Sequence, residues 1–160
     1  MDGTRTFQRP TALERLINRA IGALVGLGLG PAHMWVLEVR GRTSGRLRAT
    51  PVDLLAEGGR LYLVAPRGAT EWVRNAEASG EVTLRRGRRR VAYRLRALPA
   101  AERPAILAAY LDRFRREVQR YFPVAAGSPP DAFAPLASRY PVFELRLRAQ
   151  PSGKSGPKQF

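Results

Sequence analysis

The sequence predicts an α+β domain in which about six mostly antiparallel strands form a small barrel with helices around it. Short segments alternate apolar and polar residues with a period of two, and tight glycine-containing turns join several of them. Other segments carry apolar residues at helical spacing. With 160 residues, of which 44% are hydrophobic, the chain is long enough to bury one substantial core.

Residues 1–33 are expected to form an N-terminal arm followed by an amphipathic helix. Thr11 is a candidate N-cap, because Glu14 three residues later completes the pattern of a capping box. The apolar residues that follow lie on one helical face. The helix is expected to dock on the barrel. The alternative is an interfacial helix that touches a membrane, with Arg15 and Arg19 on its polar side.

Residues 34–148 are assigned to one barrel domain. Its strands are expected at about residues 35–40, 47–56, 61–65, 81–86, 89–97 and 142–147. Its helices are expected at about residues 70–78, 100–121 and 131–138. Residues 149–160 contain Pro, Ser, Gly and Lys, and they are expected to be a disordered tail.

Composition excludes several kinds of site. The chain has no cysteine, so disulfides and thiolate chemistry are excluded. The single histidine, His33, cannot build a histidine-based zinc site alone, and no metal site is expected. His33 is expected to be a loop residue outside any catalytic constellation. No apolar run reaches the roughly 18–20 residues of a membrane span, so a cytoplasmic protein is expected.

The charge balance points to an anionic partner. The chain has 28 Lys plus Arg against 13 Asp plus Glu, a formal net charge of +15 at pH 7. Such a field suits a phosphorylated cofactor, a nucleic acid or an acidic membrane. The predicted hairpin Arg85–Arg96 is the most basic segment, and we interpret it as a solvated hairpin. Nucleic-acid binding is the alternative, but only Tyr93 is nearby for base stacking.

The segment Gly41–Pro51 joins two predicted strands and combines glycines, hydroxyls and arginines. These residue types are typical of an anion-binding loop, although an arginine-rich hairpin turn on the surface has the same composition. A second basic residue, Arg67, follows the next predicted strand. Because a tight turn joins the second and third strands, Arg67 should lie on the same rim as Arg48, and the two could converge on one ligand.

Together these segments resemble the deazaflavin (coenzyme F420)-dependent nitroreductase and quinone reductase family. The family pattern is G-R-x-S-G-x-x-R-x-x-P between strands, then a small residue, a basic residue and Gly, then W-x-x-N. In this sequence the pattern reads Gly41–Pro51, Arg67-Gly68 and Trp72-Val73-Arg74-Asn75. The order and spacing match over about residues 34–98.

The resemblance implies a split β-barrel that holds coenzyme F420, an 8-hydroxy-5-deazaflavin, with its phosphate and glutamyl tail near the Gly41–Pro51 loop. The cofactor-binding positions that it implies are Arg42, Thr43, Ser44, Arg48, Pro51, Ala65, Pro66, Arg67, Trp72 and Asn75. Two positions depart from the family: Thr43 stands where Lys is often found, and Asp53 where an aromatic residue is often found. Candidates for the wall of an acceptor pocket are Tyr110, Tyr121 and Tyr140.

The function implied is an oxidoreductase that transfers a hydride from the reduced deazaflavin to a quinone, a nitro compound or an activated enone. No residue is expected to act as a nucleophile, because the cofactor carries the chemistry. One alternative is a barrel that uses FMN or carries a flavin without turnover, and another is a nucleic-acid-binding domain built on Arg85–Arg96. A homodimer and a peripheral membrane contact through the N-terminal helix are left open.

Overall fold

The computed structural model describes residues 11–149. The predicted arm at residues 1–10 and almost all of the predicted disordered tail lie outside these residues. The helices are α1 (Ala12–Gly26), α2 (Glu71–Ser79) and α3 (Arg103–Val118). The strands are β1 (Met34–Arg40), β2 (Leu47–Glu57), β3 (Arg60–Val64), β4 (Glu81–Arg86), β5 (Arg89–Ala97) and β6 (Val142–Leu147). Short 3-10 helices cover Ala100–Glu102, Gln119–Tyr121 and Pro130–Arg139.

The six strands close into an antiparallel barrel in the order β1-β2-β3-β6-β5-β4. This confirms the predicted barrel, and each strand agrees with its predicted bounds to within one residue. The agreement follows from the period-two pattern, because alternate residues of every strand point into the barrel. The buried residues of this interior include Leu37, Val39, Leu63, Val82, Leu84, Tyr93, Phe143 and Leu145.

The helices cover the barrel in two ways. Helix α2 adds Val73 and Ala76, both fully buried, to the core of the barrel interior. Helix α3 contributes to a second core, which it shares with the outward residues of β3 and with the last 3-10 helix. The predicted helix at 131–138 is a 3-10 helix, and Pro135 inside it lacks the N–H that an α-helix needs there.

Helix α1 is capped as expected but only partly docked. Thr11 and Glu14 form the reciprocal capping box, with bonds of 3.2 and 2.7 Å. Within the helix, Val25 alone is classed as buried, at its C-terminal end. The exposed apolar side chains of α1 are Leu13, Leu16, Ile17 and Leu24. No helix between residues 11 and 149 is long and apolar enough to cross a bilayer.

The arginines of the β4–β5 hairpin make contacts within the protein. Arg85 Nε donates to Glu38 Oε1 at 2.8 Å, and Arg90 donates to the other oxygen of this buried carboxylate. Arg86 donates to the main-chain carbonyls of Pro31 and Met34 at 2.8 and 2.9 Å, which ties the segment after α1 to the barrel. The basic hairpin is therefore engaged in holding the fold.

We expect Glu38→Gln to lower the free energy of unfolding by about 1–3 kcal/mol, because it removes the shared partner of two arginines. The loss should be smaller than for a fully buried pair, because the side chains of Arg85 and Arg90 are 29% and 56% exposed. Urea unfolding of the full chain measures the change. The exposed Glu57→Gln is the matched control and should stay within about 0.5 kcal/mol. Equal midpoints for the two variants would contradict the expectation.

Candidate functional site

A cavity of about 690 Å³ lies beside β2, and its volume is typical of a small-molecule site. Strand β3 pairs with β2 only over Leu54–Glu57. Among the described residues, the other edge of Leu47–Asp53 therefore pairs with no strand, and this free edge faces the cavity. A free edge presents main-chain N–H and C=O groups as well as side chains from both faces of the strand. Consecutive β2 residues from Arg48 to Asp53 accordingly line the cavity.

The loop between β1 and β2 folds tightly on itself. Gly41 N donates to Arg46 O and Gly45 N donates to Gly41 O, both at 2.8 Å. A Cβ on Gly41 would lie 2.8 Å from Ser44 Oγ, so no larger residue fits there without a shift. Thr43 and Ser44 lie in this exposed turn and are not among the residues that line the cavity.

Asn75 of α2 fixes this loop to the barrel. Its side-chain Oδ1 accepts two hydrogen bonds from Arg42, from the main-chain N at 3.1 Å and from Nη1 at 2.9 Å. The same Nη1 lies 3.0 Å from Glu71 Oε2, and this hydrogen bond lowers the pKa of the Glu71 carboxyl. Asn75 is buried and lines the cavity, whereas Arg42 does not line it. Arg42 therefore fixes the position of the β1–β2 loop through Asn75, rather than facing the cavity.

The end of β3 forms the opposite wall. Ala65, Pro66 and Arg67 line the cavity there, and Gly68 turns the chain toward α2 with a φ of +82°, a conformation that glycine adopts without strain. Arg67 and Arg48 line the same cavity, as their positions in the sequence predicted.

The N-terminus of α2 opens onto the cavity. Thr70 is the N-cap, but its side chain makes no capping bond. Thr70 Oγ1 is buried and has no hydrogen-bond partner among the described residues. The next residues along the cavity wall include Trp72, whose ring lies 6.0 Å from that of Phe143. This corner therefore offers an unused hydroxyl beside the positive end of a helix dipole.

The three tyrosines named from the sequence have different positions. Tyr110 and Tyr121 line the cavity, and burial raises the pKa of the Tyr110 hydroxyl well above its usual value. Tyr140 is not among the lining residues. Its ring stacks on Phe122 at 4.5 Å, and its hydroxyl donates to Tyr121 O at 2.6 Å, so it is part of the outer core.

Sequence reasoning missed an acidic residue and its neighbour. His33 lies in the turn before β1, as expected for a loop residue, but its Nε2 is 3.5 Å from Asp53 Oδ1, a contact that the sequence analysis did not predict. Asp53 lines the cavity, and burial raises the pKa of its carboxyl. The antiparallel register brings the pair together, since Met34 lies opposite Asp53 and His33 precedes Met34. The pairing register of β1 with β2 was the signal that could have identified the contact between His33 and Asp53.

Comparison with known proteins gives one matching family and several solved structures of similar fold. Residues 13–126 match the model of the family described as F420H(2)-dependent quinone reductase. Comparison with curated protein sequences gives no match.

Among solved structures, one described as a domain-swapped dimer is 20% identical, covers 84% of this chain and 93% of its own, and has a TM-score of 0.52. Atu2129 of Agrobacterium tumefaciens str. C58, described as of unknown function, is 17% identical over 89% of this chain and 60% of its own, with a TM-score of 0.54. An F420-H2 dependent reductase (FDR-A) is 20% identical over 72% of this chain and 95% of its own, with a TM-score of 0.48. The first two show that this fold is shared.

We expect Asn75→Leu to loosen the β1–β2 loop, because it removes the acceptor of two Arg42 donors. The Arg42 main-chain amide should exchange its hydrogen faster, and the free energy of unfolding should fall by about 1–3 kcal/mol. Asn75→Asp keeps the acceptor oxygen and is the matched control. The Arg42 amide should exchange its hydrogen more slowly in this variant than in Asn75→Leu. Amide exchange followed by NMR measures both. An Arg42 amide that exchanges equally fast in all three proteins would show that Asn75 does not hold the loop.

Proposed function

Because the chain belongs to the F420H(2)-dependent quinone reductase family, we propose that it is an oxidoreductase that transfers a hydride from reduced coenzyme F420 to a quinone. Nitro compounds and activated enones are proposed as further acceptors, because they are also electrophilic at a conjugated system. The observation that carries the proposal is the cavity beside the free edge of β2, where arginines and an apolar wall meet.

The donors around the cavity fit an anionic cofactor. Arg48, Arg67 and Arg120 line it, and guanidinium groups form paired bonds with phosphate and carboxylate. The unpartnered hydroxyl of Thr70 and the N-terminus of α2 add neutral donors at the same place. A tail of phosphate and carboxylates needs several such donors together. A neutral ligand would leave these donors unused.

The walls of the cavity fit a flat ring. The free edge of β2 offers main-chain donors and acceptors, and Ala65 and Pro66 leave room for close approach. When bound, the reduced deazaflavin supplies the hydride. The protein's own residues orient the two reactants and exclude water, and Ile21 of α1 and Tyr110 of α3 wall in the cavity for this purpose.

The family match supports the deazaflavin over FMN as the cofactor. No observation favours the nucleic-acid alternative, because Arg85, Arg86 and Arg90 of the basic hairpin contact groups within the protein. The homodimer stays a prediction.

Helix α1 suggests where a lipophilic quinone could enter. Its Asn18 and Ile21 line the cavity, whereas its Leu13 and Leu16 are 65% and 64% exposed. One helix thus has residues in the cavity wall and exposed leucines on its surface. We propose a peripheral contact of α1 with an anionic membrane, supported by these leucines and by the net charge of +15.

We expect Arg48→Ala to weaken deazaflavin binding by about 10–100-fold, the value of one or two charge-assisted hydrogen bonds. Fluorescence titration of the purified protein measures the dissociation constant, and a parallel titration with FMN tests the alternative cofactor. Arg46→Ala is the matched control, because Arg46 lies two residues before Arg48, at the end of the β1–β2 loop, but does not line the cavity. If the wild-type protein does not bind deazaflavin at tens of micromolar, the proposed function is wrong.

We expect the double variant Leu13→Gln, Leu16→Gln to weaken binding to vesicles of anionic phospholipid by about 10-fold or more, because two apolar side chains are lost from the contact. Vesicle co-sedimentation measures the partition. Leu147→Gln is the matched control, since Leu147 is 72% exposed on β6 rather than on α1. Equal partition of all three proteins would contradict a contact through α1.

A further inference from the structure

One lining residue of the cavity, Asp53, is in contact with His33, which does not itself line the cavity. Asp53 Oδ1 lies 3.5 Å from His33 Nε2, and the two side chains are only 15% and 23% exposed. The backbone fixes this approach, because Leu54 N donates to His33 O at 2.8 Å. The imidazole also packs against the Phe114 ring at 4.8 Å, which limits its rotation.

Neither facing atom has a hydrogen-bond partner among the described residues. Buried polar atoms in proteins are nearly always paired, so each exception calls for a physical explanation. The distance of 3.5 Å is slightly longer than a good hydrogen bond between them. A small shift would allow a proton to be shared, and a polar ligand atom in the cavity could take the remaining bond of the carboxyl group.

We propose that Asp53, held by His33, donates the proton that an acceptor oxygen needs when the quinone is reduced. This inference rests on the proposed function. Reduction of a quinone to a hydroquinone takes one hydride and one proton: the electron pair arrives with the hydride, and the second hydrogen arrives as a proton. The O–H bond of the Asp53 carboxylic acid breaks, and an O–H bond forms on the acceptor. Asp53 then regains a proton from water by way of His33, and oxidation of the reduced cofactor returns one proton to water.

The surroundings of Asp53 support this role. Burial raises the pKa of its carboxyl, the nearby His33 lowers it, and the charge of Glu117 on α3 raises it. Burial also raises the pKa of Tyr110 well above its usual value, so that hydroxyl is a poorer acid. A proton donor works best when its pKa is close to the working pH, and an upward shift brings a carboxyl group closer to it.

The first experiment uses the protein without cofactor. The chain has four aspartates, Asp2, Asp53, Asp112 and Asp131, so ¹³C-labelled aspartate gives four side-chain carboxyl signals, and the one that Asp53→Asn removes belongs to Asp53. We expect Asp53 to titrate at a higher pH in the folded protein than in the same chain unfolded in urea, because burial raises its pKa. His33→Gln should raise that midpoint further and Glu117→Gln should lower it, because His33 lowers and Glu117 raises the pKa of Asp53. If the Asp53 midpoint is the same in the folded and the unfolded chain, the inference is overturned.

The second experiment compares two acceptors at saturating deazaflavin. A naphthoquinone needs a hydride and a proton, whereas an N-methylphenazinium cation needs only the hydride. We expect Asp53→Asn to lower kcat for the naphthoquinone by about 100-fold or more, the usual contribution of a general acid. The rate with the cation and the deazaflavin dissociation constant should change less than about 3-fold. The wild-type kcat for the quinone should fall as pH rises through the pKa of Asp53, because the donor must be protonated.

The outcomes separate the inference from the function on which it rests. A wild-type protein that reduces neither acceptor overturns the proposed function. A wild-type protein that reduces the quinone, with Asp53→Asn equally fast, overturns the role of Asp53. A large loss in Tyr110→Phe without one in Asp53→Asn overturns it too and assigns the proton to Tyr110. Asp131→Asn should match the wild type throughout, and thermal unfolding checks that each variant is folded.

Discussion

The free edge of β2 is the feature on which the rest of the site depends. Strand β1 pairs with β2 from Leu47 to Asp53, but β3 pairs with β2 only from Leu54 onward. A closed barrel normally pairs every strand on both edges. In this barrel, the first half of β2 is paired on one edge only. Pro51 lies in that half, where its missing N–H costs no pairing on the open side. The cavity forms because α1, α2 and α3 surround this edge without pairing with it.

The arginines of this basic chain are distributed between buried carboxylates and the wall of the cavity. Glu38 and Glu144 are buried on the outside of the barrel, and each contacts several arginines. Such networks keep a buried carboxylate paired. The arginines that line the cavity belong to other segments: Arg48 to the free edge, Arg67 to the turn after β3 and Arg120 to the 3-10 helix after α3. The sequence shows many arginines but not this division, because pairing depends on which strands are neighbours.

The strands could be predicted from the sequence because the signal for each is local. Alternation of apolar residues and the glycine turns determine their bounds, and the barrel follows from six such strands. Local patterns also placed Arg48 and Arg67 on one rim. They could not show that Arg42 points to Asn75, 33 residues away, or that Tyr140 hydrogen-bonds to Tyr121 in the outer core. His33 was missed for the same reason, since its partner is set by the register of β1 on β2.

The two ends of the free edge differ in charge, and this difference can orient a ligand. Arg48 lies at one end and Asp53 at the other, five residues apart, which is about 17 Å along an extended strand. An anionic group is attracted to Arg48 and repelled by Asp53 whenever that carboxyl is ionised. This difference favours one direction along β2 for a ligand with an anionic tail and a neutral ring. Under the proposed function, that direction brings the neutral, reacting part toward Asp53, whose contact with His33 is set by the register of β1 on β2.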